Sequence, residues 1–327
     1  MRQGPRDRVS RYHDGMKALF FCIPFIGALI TGPALAEWPM KNDPAFDPTV
    51  SDPAYPLSTG PKILLDGAHH NFFIQWDFIQ PFAQLATADG YRPIVDDKTF
   101  SPGYLAGFDI VVIITALPFN FTEQTEVTTE VTFTEAEIEA LHDWVENGGA
   151  LLVFSEHAPF DQAINKLLGA FGLESRVGYV VDPEHHDKSM GRPGWIVYSR
   201  DNGLLNVEHP IIQGRHQGEA IDKVMTFGGS SLTGEGYVNL LRLSPTARNE
   251  QHPTGVGPVG MGNSQALAGT LGKGKVVALG DSNGFTAMNF AQDDGSVQSA
   301  GMNSADQDWK QWVLNVLHWL SDELSAE

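Results

Sequence analysis

The sequence predicts an α/β fold in which a mostly parallel sheet has helices on both faces and carries a β-rich insertion. Three strand-like runs, at residues 62–65, 150–154 and 275–279, are apolar apart from the lysine that begins the first and the third, which is the pattern of parallel strands buried on both faces. Segments with helical periodicity alternate with these runs, which is typical of strand–helix–strand units. Each apolar run also ends in a polar cluster, and ligands of such sheets bind at the carboxyl ends of the strands.

Residues 1–36 have the pattern of a cleaved secretory signal peptide. Lys17 is the positive end, residues 18–30 are the apolar stretch, and Ala34-Leu35-Ala36 is a small-x-small cleavage motif. A membrane anchor is the alternative, but the apolar run is short for a membrane span. We therefore expect a periplasmic or secreted bacterial protein that starts at Glu37 and has no membrane span after cleavage.

Composition narrows the function classes further. The only cysteine, Cys22, lies in the predicted signal, so we expect no disulfide, cysteine nucleophile or thiolate metal site in the mature chain. The net charge is −19, which disfavours nucleic acid as a partner. The sequence leaves open whether the chain starts at Met1 or at Met16 and which oligomeric state it adopts.

The first half of the chain is read as a lead-in followed by strands and helices. Residues 37–60 are rich in Pro, Asp and Ser and predict an extended lead-in. A helix should begin near Pro81 and end at Gly90, since Pro suits the first turn of a helix and Gly its end. The predicted strands of this part cover residues 62–66, 92–95 and 108–115.

A capped helix and a strand follow. Thr134 and Glu137 form a capping box, and Phe133 with Ile138 fits the hydrophobic staple. The helix should end before Gly148-Gly149 and lead into the strand at residues 150–154, and a further helix should span about 160–171.

Residues 173–265 have a different residue pattern from the segments before them, because short apolar stretches alternate there with Gly, Pro and Asn. This pattern favours an antiparallel, β-rich insertion or an antiparallel extension of the sheet. The α/β pattern returns at residues 266–279, and an amphipathic helix should close the chain at about 306–322. We expect one domain over residues 61–327 that includes the insertion.

The polar strand ends supply the candidate metal ligands. Asp66 and His69 follow the first strand and His157 follows another, and imidazole and carboxylate groups are ligands of Zn, Mn or Fe. No cofactor is assigned with certainty. In the alternative interpretation the histidines hydrogen-bond to loop backbone and Asp66 caps the following turn.

The same strand ends supply the candidate catalytic and substrate-binding residues. Glu156 and His157 are an acid/base pair directly after an apolar strand, and Asp281 is a further carboxylate at the end of the last strand. A surface ion pair is the alternative for Glu156 and His157. The candidate substrate-binding residues are Asn71, Ser155, Ser282 and Asn283.

Two further motifs have competing interpretations. The segment from Gly280 to Gly284 fits the nucleophile elbow of serine hydrolases, but the only later histidine, His318, lies in the packed terminal helix. A cleft carboxylate at Asp281 is therefore preferred to a nucleophile at Ser282. His185-His186-Asp187 fits a solvated loop, a cover over the cleft, or an opportunistic metal site.

The stretch from Phe133 to His157 resembles the class I glutamine amidotransferase-like superfamily. The resemblance rests on a capped helix, Asn147-Gly148-Gly149, an apolar strand and a sharp strand end, and it implies a flavodoxin-like fold. Ser155 stands where that superfamily has its catalytic cysteine, and Glu156 and His157 stand where it has glycines, so glutamine hydrolysis is not expected. Most of the mature chain is similar to exported bacterial members of unknown function.

These observations leave two functional hypotheses. The first is an exported, metal-assisted hydrolase of a small or carbohydrate-like substrate, in which Asp66, His69, Glu156, His157 and Asp281 line one cleft. The second is a non-catalytic module that binds a ligand or joins an envelope complex.

Overall fold

The computed structural model describes residues 40–120, 131–251, 258–292 and 295–324. The predicted signal peptide lies outside these residues, as does most of segment 118–132, which is rich in Thr and Glu and for which the sequence predicts an exposed loop. The described helices are α1 (Phe72–Gln75), α2 (Gln80–Ala88), α3 (Pro102–Leu105), α4 (Glu135–Glu146), α5 (Phe160–Ala170), α6 (Pro210–Gln213) and α7 (Trp309–Leu320).

The described strands form one large sheet and three small ones. They are β1 (Met40–Asn42), β2 (Lys62–Asp66), β3 (Arg92–Asp96), β4 (Ile110–Ile114), β5 (Ala150–Phe154), β6 (Leu173–Arg176), β7 (Tyr179–Val181), β8 (Val197–Ser199), β9 (Lys223–Met225), β10 (Ser231–Gly234), β11 (Val238–Arg242), β12 (Arg248–Glu250), β13 (Ser264–Leu271), β14 (Gly274–Leu279), β15 (Ala287–Ala291) and β16 (Val297–Gly301).

The large sheet has nine strands and is half parallel and half antiparallel. Its order is β3-β2-β4-β5-β14-β13-β10-β6, and β11 also pairs with β13. The pairings among β3, β2, β4, β5 and β14 are parallel, whereas those of β13 with β14, β10 and β11, and of β10 with β6, are antiparallel. The α/β class is confirmed, but a mostly parallel, flavodoxin-like sheet is not.

Alternate residues of the parallel strands enter two separate apolar clusters. On β4, Val112 joins the cluster that contains residues of α2 and α7, whereas Val111 joins the cluster that contains residues of α4 and α5. Successive side chains of a strand point to opposite faces, so β4 is buried on both sides. This double burial explains why the parallel strands read as unbroken apolar runs.

The capping box on α4 is present as predicted. The Thr134 side chain accepts from the backbone N–H of Glu137, and the Glu137 carboxylate accepts from the backbone N–H of Thr134. This box satisfies two backbone donors at the start of the helix. It also holds the Glu137 side chain in a fixed place beside the carboxyl end of β2, which matters for the site below.

The lead-in is held against the body of the protein. Its first described residues form β1, which pairs with β15. The Lys310 ammonium donates to the carbonyl oxygens of Asp47 and Thr49, at 2.7 and 2.8 Å. Arg215 donates to the Asp52 carbonyl at 2.6 Å, so contacts from α7 and from the loop after α6 fix this segment.

Candidate functional site

Glu156 and Asp281 lie beside each other at the carboxyl ends of two paired strands. In the parallel pair β5–β14, Phe154 is the register partner of Leu279, so the residues that follow leave the sheet together. The backbone N–H and the hydroxyl of Ser282 both donate to Glu156 Oε2, at 2.8 and 2.5 Å. Glu156, Asp281 and Ser282 are all at least 97% buried. The structure thus brings together two strand ends that lie more than a hundred residues apart.

The backbone at Glu156 adopts a left-handed conformation, with φ of 53°. This conformation costs roughly 1–2 kcal/mol in a residue other than glycine, and such strain concentrates at functional sites. Glu156 occupies the sharp turn between β5 and α5, which places its carboxyl group over the end of the sheet. The side chain of the preceding residue, Ser155, is turned away and lies 2.6 Å from the Ser230 hydroxyl.

Burial, followed by the nearby Glu156 charge, raises the pKa of Asp281 to about 8. The backbone N–H groups of Phe227 and Asn283 donate to the Asp281 carboxyl group, at 2.8 and 2.9 Å, and partly oppose this shift. Asp281 is therefore largely protonated at neutral pH and can serve as a hydrogen-bond donor. Burial also raises the pKa of a second carboxyl group, that of Asp161 on the first turn of α5, to about 6.

His157 is the solvent-facing member of this group. Its side chain is 27% exposed, whereas that of Glu156 is 4% exposed. The Nδ1 atom lies 2.8 Å from the Ala158 carbonyl oxygen, which only accepts, so Nδ1 carries a proton. The Nε2 atom lies 3.7 Å from Glu156 Oε1. In the neutral ring the lone pair is therefore on Nε2, and a general base needs such a lone pair within reach of the proton that it takes.

Asp66 and His69 belong to a second, closed group. The His69 Nδ1 atom lies 2.9 Å from both carboxylate oxygens of Asp66, and Nε2 lies 3.0 Å from Glu137 Oε1. The Asn71 amide donates to Asp66 at 2.9 Å, and its oxygen accepts from the backbone N–H of Ile114 at 2.8 Å. The backbone N–H of Ala68 also donates to the Asp66 carboxylate at 3.1 Å. This contact is the one expected from the alternative interpretation, in which Asp66 caps the following turn.

The His69 ring lies between two phenylalanine rings. Its centroid is 5.0 Å from that of Phe100 and 4.2 Å from that of Phe133. Burial alone would lower the pKa of His69, but the hydrogen bonds and charges of Asp66 and Glu137 outweigh it and raise the pKa. The ring is thus held as a cation between two carboxylates, with 5% of its surface exposed.

The structure does not bring the three predicted metal ligands together. Both ring nitrogens of His69 already face carboxylate oxygens, so neither is directed at a shared ion. β4 lies between β2 and β5 in the sheet, which separates Asp66 from the residues after β5 by about 10 Å. His157 therefore lies with Glu156 rather than with Asp66 and His69. The closed group of Asp66 and His69 has the chemistry of a structural ion pair.

The four candidate substrate-binding residues differ in accessibility. Ser155, Ser282 and Asn71 are buried and their polar atoms contact Ser230, Glu156 and Asp66, respectively. Asn283 is half-buried, at the start of a short 3-10 turn. Asn283 and His157 are therefore the members of the predicted set at β5 and β14 that a ligand reaches most directly.

Sequence reasoning missed Asp161 and the second role of Glu137. The sequence pattern predicts Asp161 only as part of the α5 helix, although an acidic residue in the first turn of an apolar helix is a usable signal. Glu137 was assigned only to the capping box, which already explained why a carboxylate stands there. Its contact with His69 joins residues 68 positions apart, and no local pattern reports such a pair.

The fold and the sequence were compared with known proteins. The chain is similar to the structure titled mmIFT52 N-terminal domain, with 17% identity and a TM-score of 0.55 over 79% of this chain and 96% of that one. At this identity the likeness shows the fold alone. ThuA-like proteins from Bacteroides uniformis and Parabacteroides merdae are 16% and 12% identical, with TM-scores of 0.42 and 0.40. They cover 82% of this chain in each case, and 94% and 92% of their own chains.

The fold and the polar strand ends therefore define a mixed α/β protein with a candidate site at the carboxyl edge of its sheet. A family model for DUF4350, a domain of unknown function, matches residues 118–297, which is more than half of the chain. The protein belongs to the DUF4350 family. No curated protein is significantly similar to it in sequence.

This membership corrects one expectation. The resemblance of residues 133–157 to the class I glutamine amidotransferase-like superfamily is wrong as a family assignment, because the same stretch lies inside the DUF4350 match. A capped helix followed by a glycine pair and a buried strand is a generic α/β pattern and does not identify a superfamily.

Among the described residues, no helix is both long and apolar enough to cross a membrane.

Proposed function

We propose that the protein is a hydrolase that uses His157 as its general base, with Glu156 and Asp281 beneath it. The single observation that carries the proposal is the Glu156 carboxyl group, fixed at a strained strand-to-helix turn beside the His157 Nε2 atom. A strained backbone and a strongly raised carboxyl pKa, here that of Asp281, are both typical of catalytic sites.

In the proposed reaction, His157 Nε2 takes a proton from a water molecule that attacks the substrate. The negative charge of Glu156, 3.7 Å away, stabilises the imidazolium that forms. Ser282 fixes the Glu156 carboxylate through two hydrogen bonds, so the charge stays in place during the reaction. Asp281 is the buried group whose protonation keeps a second negative charge out of the site.

We propose a small, neutral or carbohydrate-like substrate, because a chain of net charge −19 repels polyanions. The proposed mechanism gives Asp66 and His69 no metal-binding role, since they already form a closed contact with Glu137. Their part is to fix the loop after β2 against the start of α4.

The test is hydrolysis of a panel of p-nitrophenyl esters and p-nitrophenyl glycosides by the purified chain. We expect turnover of at least one class, with kcat reduced roughly 100-fold or more in His157→Ala and in Glu156→Gln. His142→Ala is the matched control, because His142 is a half-buried histidine on α4 away from the strand ends. Turnover that persists unchanged in His157→Ala would contradict the proposal.

One observation favours the second hypothesis, a non-catalytic ligand-binding or envelope-complex module. The side chains of three candidate substrate-binding residues form hydrogen bonds within the protein, as expected of a structural role; they are Asn71, Ser155 and Ser282. If no panel member is hydrolysed, but a sugar or alcohol from a soluble panel raises the melting temperature of wild type and not of His157→Ala, this module takes the place of the enzyme.

We also propose that the protein is exported and forms one domain after its signal is removed. Support comes from the signal pattern in residues 1–36 and from the contacts that fasten residues 47–52 to the body. N-terminal sequencing of protein recovered from the periplasm or medium of an expressing bacterium should begin at Glu37. A start at Met1 or Met16 in the mature protein would contradict this proposal.

A further inference from the structure

Asp182 is a buried carboxylate that organises the loop after β7. The hydroxyl groups of Ser244 and Thr246 donate to it at 2.5 and 2.7 Å, and the backbone N–H groups of Glu184 and His185 donate at 2.9 and 3.2 Å. Burial alone would raise the pKa of Asp182, but these donors lower it to about 2. These four donors make both carboxylate oxygens of Asp182 hydrogen-bond acceptors.

Two consecutive histidines are anchored to this one residue through the same ring atom. The His185 Nδ1 atom lies 3.1 Å from Asp182 Oδ2, and the His186 Nδ1 atom lies 2.8 Å from the Asp182 carbonyl oxygen. Because a carboxylate and a carbonyl only accept, we assign a donating N–H to Nδ1 of both rings; for His186 the 2.8 Å contact with the carbonyl is much closer than the 3.4 Å separation of Nδ1 from the Lys188 ammonium. Each neutral ring then keeps its lone pair on Nε2, so the partners of the rings fix the tautomer.

The backbone of this loop is also fixed. The N–H of Val197 donates to the His185 carbonyl at 2.7 Å, and the N–H of Asp187 donates to the Trp195 carbonyl at 3.0 Å. Consecutive side chains of a regular strand point to opposite faces, yet both rings here return to Asp182. Both histidines are half-buried, so their rings are held in place and remain partly open to solvent.

We propose that His185 and His186 form a binding site for a divalent transition-metal ion such as Zn²⁺, with Nε2 of each ring as the ligand atom. Metal-binding histidines characteristically donate their other N–H to a carboxylate or a backbone carbonyl, and these two rings do one of each. Imidazole is a preferred ligand for Zn²⁺, and water completes the coordination of an exposed site. This site is independent of the proposed hydrolase reaction.

Two other groups in the described residues place three possible ligands close together, but their chemistry is less suitable. In Asp52, His216 and Glu219, the Arg215 guanidinium already pairs with Glu219. The His216 Nδ1 atom accepts from the N–H of Gly218 at 3.2 Å, which places the ring proton of the neutral form on Nε2.

The second group, His142, Asp143 and Glu146, lies on the outer face of α4. The nearest ring contact of the His142 Nδ1 atom to a carboxylate is 3.6 Å, to Asp143, so no hydrogen bond fixes its tautomer. His142 and His216 therefore provide matched controls: each is a histidine among acidic residues that lacks the anchoring described for His185 and His186.

The experiment is Zn²⁺ titration of the full chain, purified without a polyhistidine tag, in competition with a fluorescent chelator. His185→Asn and His186→Asn are the informative variants, since the asparagine amide retains a donor near the position of Nδ1 but lacks Nε2. We expect one Zn²⁺ per chain, and a loss of affinity of roughly tenfold or more in either variant. His142→Ala and His216→Ala should bind as wild type does.

A charge variant and a spectroscopic measurement make the test specific. The Lys188 ammonium lies 3.4 Å from the His186 ring, so Lys188→Gln should tighten Zn²⁺ binding several-fold by removing a neighbouring cation. In ¹⁵N spectra of the metal-free protein both rings should show the Nδ1–H tautomer, and Zn²⁺ should shift both Nε2 signals. Equal affinity in wild type and the double asparagine variant, or a loss confined to His142→Ala or His216→Ala, would overturn the proposal.

Discussion

Replacing Glu137 by glutamine should destabilise the protein much more than the same change at Glu135, two residues earlier in the first turn of α4. One oxygen of Glu137 faces the His69 ring at 3.0 Å, and the other accepts from the N–H and the hydroxyl of Thr134 at 3.0 and 2.7 Å. Glu135 has an exposed ion pair with Lys166, and its side chain is 80% exposed. The two substitutions remove the same charge from the same turn of the same helix.

The magnitude follows from the contacts. A glutamine at residue 137 has one oxygen, so it can serve either His69 or Thr134 but not both. A hydrogen bond to a charged group contributes about 1.5–3 kcal/mol and a helix cap about 1 kcal/mol. We therefore expect Glu137→Gln to lower the free energy of unfolding by about 2–3 kcal/mol, and Glu135→Gln by less than about 0.5 kcal/mol.

The difference between the two variants should depend on pH. The folded protein raises the pKa of His69, so the folded state binds this proton more tightly than the unfolded chain. The contribution of the charged ring is therefore fully present below about pH 6.5 and is lost as the pH rises through the folded-state pKa. Urea unfolding followed by tryptophan fluorescence at several pH values between 6 and 10 measures both quantities. A Glu137→Gln variant as stable as Glu135→Gln at pH 6, or a difference that does not change with pH, would refute the reasoning.

Two further predictions concern Asp281 and the glycines. Because burial raises the pKa of Asp281 to about 8, the folded state binds this proton more tightly than the unfolded chain, and the stability of the protein should fall as the pH rises from about 4 to 8. Thermal unfolding of Asp281→Asn should show a smaller fall in stability over this pH range. A fall equal to that of the wild type would show that another group is responsible. Gly149→Ala should destabilise by about 1–3 kcal/mol, since a Cβ there would lie 2.4 Å from the Trp144 ring, whereas Gly169→Ala, inside α5 with open space around it, should stabilise by up to about 1 kcal/mol. Equal urea midpoints for the two glycine variants would contradict the close contact at Gly149.

The parallel part of the sheet could be predicted because its strands are buried on both faces. Lys62–Asp66, Ile110–Ile114, Ala150–Phe154 and Gly274–Leu279 all contain the expected apolar runs. The helix from Glu135 was predicted with similar accuracy, because its capping box is a local pattern whose residues lie three positions apart. Local and periodic features are visible in a single sequence, since they need no knowledge of the partner segment.

The antiparallel half of the sheet was predicted only in part, for a related reason: the pattern of residues 173–265 indicates antiparallel strands, but not which of them pair. β13 was read as a return to α/β structure, yet it pairs with β14 through the short turn at Gly272 and Lys273, where Gly272 has a φ of 58°. A two-residue glycine turn between two apolar runs is a hairpin signal, so antiparallel pairing was deducible there. The pairing of β6 with β10, and of β10 with β13, joins distant segments and has no such local mark.

The two groups of strand-end residues show how far the sequence pattern extends. Asp66-Gly67-Ala68-His69 and Ser155-Glu156-His157 look alike in sequence, since both place a carboxylate and a histidine directly after an apolar strand. The pattern reports that these residues lie at the carboxyl edge of the sheet, and the structure agrees. It does not report accessibility, because that depends on which distant side chain covers each histidine.

That distant side chain decides the different roles that we infer for the two histidines. Glu137, brought to His69 by the start of α4, takes up its second ring nitrogen and leaves the ring 5% exposed. His157 has a neighbouring carboxylate but keeps 27% of its side chain exposed. A histidine closed between two carboxylates stabilises the fold, whereas one whose ring stays partly exposed beside a single carboxylate can exchange protons with a ligand. Kinetic effects should therefore follow His157 substitutions, and stability effects should follow His69 substitutions.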